Sequence, residues 1–234
     1  HMGESNFGHE LYTQFARIGK ALSNANRLEL LDFLAQGERS VESLARASGL
    51  TMANTSQHLQ QLRQAGLVDG RKDGQHVYYS LCDTAVIDLL GALRDIAERS
   101  LAEVGRLVSN YLTVKDGLEP VAAEELLARL RAGLVTVLDV RPEEEYAAGH
   151  VAGAVNIPLE QLADRLEQLR NATQVVAYCR GPYCVLAYEA VAQMRRHGIE
   201  ARRLAGGFPE WKNAGLPVET AAGESEVHRP AKTR

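Results

Sequence analysis

The chain has 234 residues, 45% hydrophobic and 24% charged, with a net charge of −4, the make-up of an ordinary globular protein of about two domains. No apolar run approaches the roughly 18 residues of a membrane span, and the start shows no signal-peptide pattern. Three cysteines do not make a disulfide framework, so a reducing cytoplasm with no membrane partner is the expected setting. The net charge argues against indiscriminate binding to nucleic acid and leaves room for a local footprint. His1-Met2 reads as a remnant of an expression vector.

Leu11 to Ser23 has Leu11, Phe15, Ile18 and Leu22 at helical spacing and reads as a packing helix. Asn24 or Asn26 can cap the next helix, which carries Leu28, Leu30, Leu31, Phe33 and Leu34 before Gly37. Ser40 then caps a short helix over Val41 to Ala47. Gly49-Leu50 makes a turn, and Thr51 caps a second helix over Met52 to Ala65. Helix, glycine turn, helix is a helix-turn-helix pattern. On the second helix Leu59 and Leu62 face inward, whereas Asn54, Ser56, Gln57, His58, Gln60, Gln61 and Arg63 are polar. No acidic residue occurs from Ser43 to Val68. A helix surface chosen only for solubility mixes both signs, and Asn, Gln, Ser and Thr are residues that read base edges or bond phosphates. Two β-like runs flank Asp73-Gly74, a strong hairpin signal. Arg71, Lys72, Gln75 and His76 near its tip suit a wing that touches the phosphate backbone; taken alone they would also fit a solvated turn.

These residues carry a resemblance. Ala21-Leu22-Ser23-Asn24-Ala25-Asn26-Arg27-Leu28, Gly49-Leu50-Thr51, Ser56-Gln57-His58-Leu59, Leu62 and Ala65-Gly66-Leu67-Val68 resemble the ArsR-type winged-helix repressors over about residues 18–81. The resemblance implies a homodimer on an inverted-repeat operator, released by an inducer. It also implies that Ser56, Gln57 and His58 face the major groove, with a packing role for His58 left open. Many relatives sense metals. Here the third helix has no cysteine, and no histidine stands at ligand spacing from Asp88, so no metal site is expected. Cys82 reads as a small buried hydrophobe.

Thr84 to Leu112 reads as one long helix. Val86, Leu90, Leu93, Ala97, Leu101, Val104, Val108 and Tyr111 make a seam that wants another helix, in a dimer or in the chain's own core. A two-fold dimer would set two recognition helices about one DNA turn apart. Residues 1–112 are therefore taken as a mainly α DNA-binding and dimerisation domain, 113–120 as a linker, 121–219 as an α/β domain, and 220–234 as a disordered tail in a polar stretch that starts at Glu219.

From Val121 the pattern alternates. Helices are expected over Ala122–Leu130, Pro142–Ala148 and Leu159–Leu169, and strands over Leu134–Val140, Val155–Ile157, Val175–Tyr178 and Glu200–Leu204. This is a parallel sheet with helices on both faces. Cys179 lies where the Val175–Tyr178 strand ends and Arg180-Gly181-Pro182-Tyr183-Cys184 feeds a helix from Val185 to His197. Loop amides and a helix N-terminus favour a thiolate there. Cys179 and Cys184 can form a disulfide if the loop brings their Cα atoms within about 7 Å; Cys184 could equally pack at the helix start.

This half resembles a rhodanese domain through Asp139-Val140-Arg141, Glu145-Tyr146, Gly149-His150 through Ile157-Pro158, Gly206-Gly207-Phe208, Trp211 and Gly215-Leu216-Pro217-Val218. The resemblance places the persulfide-accepting catalytic cysteine at Cys179 and structural roles at Asp139, Arg141 and His150. It counts Arg180 and Cys184 with the catalytic loop, and Gly181, Pro182 and Tyr183 as its backbone cradle. Oxyanion-using relatives need Arg six positions after the cysteine, and Val185 stands there. The sixth loop position, often Arg in thiosulfate-using members, is Cys184. No cofactor is expected. The leading reading is a repressor that senses reactive sulfur or redox state through Cys179, with a small sulfur species as inducer. Alternatives are a working sulfurtransferase with an appended DNA-binding module, or a repressor that senses a metal at the dimer helix.

Overall fold

The computed structural model describes residues 2–113 and 115–221, and the chain divides into two compact units between Asp88 and Leu89.

The first unit holds helices α1 (Met2–Leu22), α2 (Ala25–Ala35), α3 (Val41–Ser48) and α4 (Met52–Gln64), with strands β1 (Arg39–Ser40), β2 (Val68–Asp73) and β3 (His76–Leu81). The caps sit where side-chain chemistry wants them: Asn24, Ser40 and Thr51 accept from the amides of Arg27, Ser43 and Asn54. The α3–α4 turn needs a left-handed residue, and Gly49 supplies it at φ 71°. Leu30, Leu31, Leu44, Leu59 and Leu62 are fully buried and clamp α2, α3 and α4 together. The sheet is antiparallel in the order β1-β3-β2, with Asp73 opposite His76. The two-residue turn is therefore Gly74-Gln75 rather than Asp73-Gly74. Gly74 has φ 60° and no non-glycine residue has positive φ among the described residues, as a type II′ turn requires. This is a winged helix-turn-helix. Cys82 departs from expectation: it lies one residue beyond β3 and is exposed, its amide donating to Leu67 O at 3.1 Å.

The long helix also differs. α5 runs over Ala85–Ser100, and α6 (Ala102–Val108) leads into a π-helical segment, Ser109–Thr113. Leu101 breaks the run with an extended backbone at φ −112°, ψ 103°. Its apolar spacing continues across the break, so periodicity gives no sign of it. α5 begins in the first unit and continues into the second, which starts at Leu89.

The second unit adds α7 (Ala123–Arg131), β4 (Thr136–Asp139), α8 (Glu143–Ala148), β5 (His150–Val151), β6 (Val155–Asn156), α9 (Leu159–Arg165), a 3₁₀ turn (Leu166–Leu169), β7 (Val175–Tyr178), α10 (Val185–Arg196), β8 (Ala201–Arg203), α11 (Phe208–Asn213) and β9 (Val218–Glu219). The sheet is parallel in the order β6-β4-β7-β8. Strand alternation divides its side chains between two cores. Val175, Ala177 and Cys179 join Leu138, Val191 and Met194 on one face; Val176 and Tyr178 join Val137, Phe208 and Trp211 on the other. Cys179 thus continues the buried face of the central strand β7 past its last residue.

Two segments outside the main elements are held by specific contacts. In the segment expected to be the joint, Asp116 is buried and accepts from Arg195 at 2.7 Å and Arg203 at 2.6 Å. Burial alone would raise its carboxyl, but Arg195, the Leu118 amide and Arg203 outweigh it and hold the group below the ordinary value. The polar stretch taken to fray from Glu219 is ordered at its start. β9 pairs with β5, Gly153 N donates to Glu219 at 3.1 Å, and Ala221 N donates to Ala147 O at 3.2 Å. The rest of the expected tail, 222–234, lies outside the described residues.

Candidate functional site

Cys179 is 1% exposed at the carboxyl end of β7. It is bonded to Cys184, with the Cα atoms 6.1 Å apart, inside the range such a bridge needs. Cys184 is half-buried and is the N-cap of α10. The bridge closes a ring that also contains Arg180, Gly181, Pro182 and Tyr183.

A second backbone segment holds the ring from behind. Phe208 N donates to Cys179 O at 3.1 Å. A Cβ on Gly207 would stand 2.4 Å from both Arg180 C and Gly181 N, so only glycine permits this approach. Glu210 Oε2 in turn accepts from Gly207 N at 2.8 Å.

The Arg180 guanidinium is engaged by Glu145. Its Nε donates to both oxygens of Glu145 at 3.0 Å and its Nη2 to Oε1 at 2.8 Å; the Glu145 side chain is 1% exposed. Beneath the loop, Asp139 accepts from Arg141 Nη2 at 2.7 Å and Tyr178 Oη at 2.6 Å. Tyr178 Oη also accepts from Val151 N at 3.0 Å, and Arg141 Nη2 reaches Gly149 O at 2.7 Å. Burial first, and then Asp139, raise the Tyr178 phenol well above its ordinary value, so it stays a donor. His150 is buried, its Nδ1 2.8 Å from Tyr146 O and its ring stacked on Tyr146 at 3.6 Å. These buried polar groups brace the floor of the site.

The front of the ring meets α5. Tyr183 Oη donates to Glu98 at 2.7 Å; burial and Glu98 push that phenol up to about 12. Arg94 Nη2 donates to Glu210 at 2.6 Å, and its Nη1 would lie 3.7 Å from a Cβ built on Gly181. Arg94, Glu98, Tyr183, Tyr188 and Glu210 line a cleft of about 480 Å³. Sequence reading missed Arg94 and Glu98. Their spacing marks one helix face, but nothing local names partners 116 and 85 residues away. Among the described residues no three His, Cys, Asp or Glu side chains gather into a metal-binding cluster.

The other set of sequence-derived residues lies on the first unit. Thr51 at the N-cap and Asn54, Gln57 and Arg63 on α4 are exposed, and Ser56 and His58 are half-buried. His58 Nδ1 is buried with no hydrogen-bond partner among the described residues. Arg71, Lys72, Gln75 and His76 are exposed on the β2–β3 wing. Two of them already face acids: Arg71 Nη2 lies 2.7 Å from Glu38 and Nη1 3.2 Å from Asp73, and His76 Nδ1 lies 3.4 Å from Glu42. The helix and wing residues lie in the first unit and the loop residues in the second.

The family comparisons follow the same division. A model of the bacterial regulatory protein, arsR family, matches residues 24–69, and a rhodanese-like domain model matches residues 122–214. HTH-type transcriptional regulator Rv0324 of Mycobacterium tuberculosis is 45% identical over 220 residues, 94% of this chain and 96% of the relative. Nodulation protein NolR of Rhizobium meliloti is 46% identical over 76 residues, 32% of this chain and 62% of its own. Among solved structures, a homodimeric winged helix-turn-helix DNA-binding domain from Mycobacterium bovis is 42% identical, covering 40% of this chain and 86% of that one with a TM-score of 0.38. A rhodanese-related protein from Thermoplasma volcanium is 25% identical, covering 44% and 98% with a TM-score of 0.40. A helix-turn-helix match at one end, a rhodanese-like match at the other and a relative similar along nearly the whole length together assign this chain to the arsR family of bacterial transcriptional regulators, in a form that carries a rhodanese-like domain.

Proposed function

We propose that the protein is a homodimeric repressor whose affinity for operator DNA is set by the sulfur bonding of Cys179 and Cys184. The observation that carries the reading is the buried Cys179 paired with the more accessible Cys184 in one six-residue loop, within a chain of a DNA-binding regulator family. An organic persulfide RSSH gives its outer sulfur to the Cys179 thiolate and leaves as RS⁻. The Cys184 thiolate then attacks Cys179 Sγ, forms the S–S bond and expels hydrosulfide. In sum, RSSH and two thiols give RSH, H₂S and the disulfide. The exposed polar face of α4 and the wing would contact the duplex, with Asn54, Ser56, Gln57 and His58 toward bases and Arg63, Arg71 and Lys72 toward phosphates.

The test is operator affinity at fixed salt, on a duplex selected by the protein itself, before and after glutathione persulfide, for wild type and Cys179→Ser. A drop of about tenfold or more, or 1.4 kcal/mol, in wild type alone and reversed by dithiothreitol, is the expected result. Unchanged affinity in wild type refutes it. A second reading, sulfur transfer as the main activity, is favoured by the placement of Cys179 beside the N-terminus of α10. Turnover of a persulfide donor at roughly 1 per second or faster would make it the better account.

A further inference from the structure

We infer that Glu98 and Arg94 of α5 form a latch on the cysteine ring, through which α5 reads whether Cys179 and Cys184 are bonded. The inference rests on the reading that this pair changes state, and it adds the positioning residues that read the change.

Both ends of the ring are fastened to one face of one helix. At the Cys184 end, the neighbouring residue Tyr183 donates its phenolic proton to Glu98 at 2.7 Å. At the Cys179 end, Gly207 packs its backbone on Arg180 and Gly181 with no room for a Cβ. Gly207 N donates to Glu210 at 2.8 Å, and Glu210 accepts from Arg94 at 2.6 Å. Arg94 and Glu98 are four residues apart and share a helical face. The two anchoring chains thus converge on a single turn of α5.

The disulfide fixes the distance between those chains. Opening it frees Cys184, the residue bonded to Tyr183, from Cys179, the residue whose carbonyl is tied to Phe208. The cleft of about 480 Å³ beside Tyr183 and Glu98 gives the phenol room to leave. Glu98 is itself exposed, so water replaces Tyr183 without stranding a buried carboxylate. α5 is continuous from Ala85 to Ser100, and its first residues belong to the unit that carries α4 and the wing. A change in the last two turns of α5 therefore occurs in an element shared with the DNA-binding unit. By linkage, α5 must act back on the cysteines to the same extent.

The experiment uses the full chain, reduced with dithiothreitol or oxidised with glutathione persulfide, with disulfide content checked by mass. Amide exchange over residues 94–100 and the Cys179–Cys184 reduction potential are measured for wild type, Glu98→Gln and Tyr183→Phe. In wild type, exchange of these amides is expected to be about tenfold faster in the reduced protein. In Glu98→Gln that difference should fall below about twofold, and the potential should rise by about 30 mV, the equivalent of a tenfold coupling. Tyr183→Phe should behave alike, and Glu98→Gln, at an exposed position, keeps the test open if the loop variant folds poorly. Equal exchange in the two states of wild type, or a full wild-type difference in Glu98→Gln, overturns the latch. Operator affinity is read on the same samples. A wild type whose α5 responds while its DNA affinity does not would support the latch and refute the proposed function.

Discussion

Removing the Arg180 guanidinium decides whether that residue holds the loop or holds a substrate. In Arg180→Ala the Glu145 carboxylate, 1% exposed, loses donors at 2.8–3.0 Å. Breaking a buried ion pair costs roughly 3–5 kcal/mol. Two features lower the figure here: the Arg180 side chain is 21% exposed, and Glu145 also interacts with the Arg141 charge. About 2–3 kcal/mol remains, a fall of roughly 4–12 °C in the melting temperature of the α/β unit. The assay is thermal unfolding of the full chain followed by near-ultraviolet circular dichroism at Trp211, beside a titration of sulfur uptake at a temperature where the variant is folded. A stability loss with unchanged donor affinity is expected. If the variant melts within about 1 °C of wild type and its donor affinity falls about tenfold, Arg180 serves the substrate and the account of the loop is wrong.

Gly207→Ala forces a Cβ to within 2.4 Å of the Arg180–Gly181 peptide; a loss of about 3 kcal/mol in urea unfolding and slower disulfide closure are expected. For Asp116 the sign follows from a carboxyl held below 3.8 in the folded protein. Its contribution is present above that value and lost as the pH falls through the lower folded-state one. Urea midpoints of wild type and Asp116→Asn should therefore differ most above the ordinary carboxylate range and converge as the pH falls through the lowered folded-state value. Glu38→Gln releases Arg71 from its 2.7 Å partner. If the wing meets phosphate, operator affinity should rise and the salt dependence steepen by up to about 0.9 in slope, as read by titrations at several salt concentrations.

What the sequence disclosed depended on how local the cause was. β7 was legible to the residue because Val175–Tyr178 is wholly apolar and bounded by turn signals, and that placed Cys179 at its end. The caps at Ser40 and Thr51 were legible because a side chain bonds an amide three residues on, and the structure chooses Asn24 over Asn26 for the cap of α2. β5 and β9 were not, since two residues each are too few to show alternation. The break at Leu101 was hidden by an apolar repeat that runs straight through it. The acids facing the wing were hidden for another reason: Glu38 lies 33 residues from Arg71, and no pattern within β2 or β3 announces it. Within the loop, the residue types drew attention to Cys179, but whether Cys184 packs or pairs depends on a Cα distance that spacing does not set. The commitment of Arg180 to Glu145 depended on the fold in the same way.

The unequal exposure of the two sulfurs gives reduction an order. Cys179 is 1% exposed and Cys184 only half-buried, so an incoming thiolate has access to Cys184 first, and access decides which sulfur of a bridge is attacked. The mixed disulfide then forms on Cys184, and Cys179 departs as the thiolate, back in its buried seat at the end of β7. A second thiol clears Cys184 afterwards. Under the proposed function, the thiolate assigned to accept sulfur is thus restored before the partner assigned to discharge it. During that interval the chain can take up a new sulfane sulfur but has no free Cys184 with which to expel it. A reductant in short supply would hold the protein in that half-reset state, so its recovery would report the thiol pool and its response the sulfane pool.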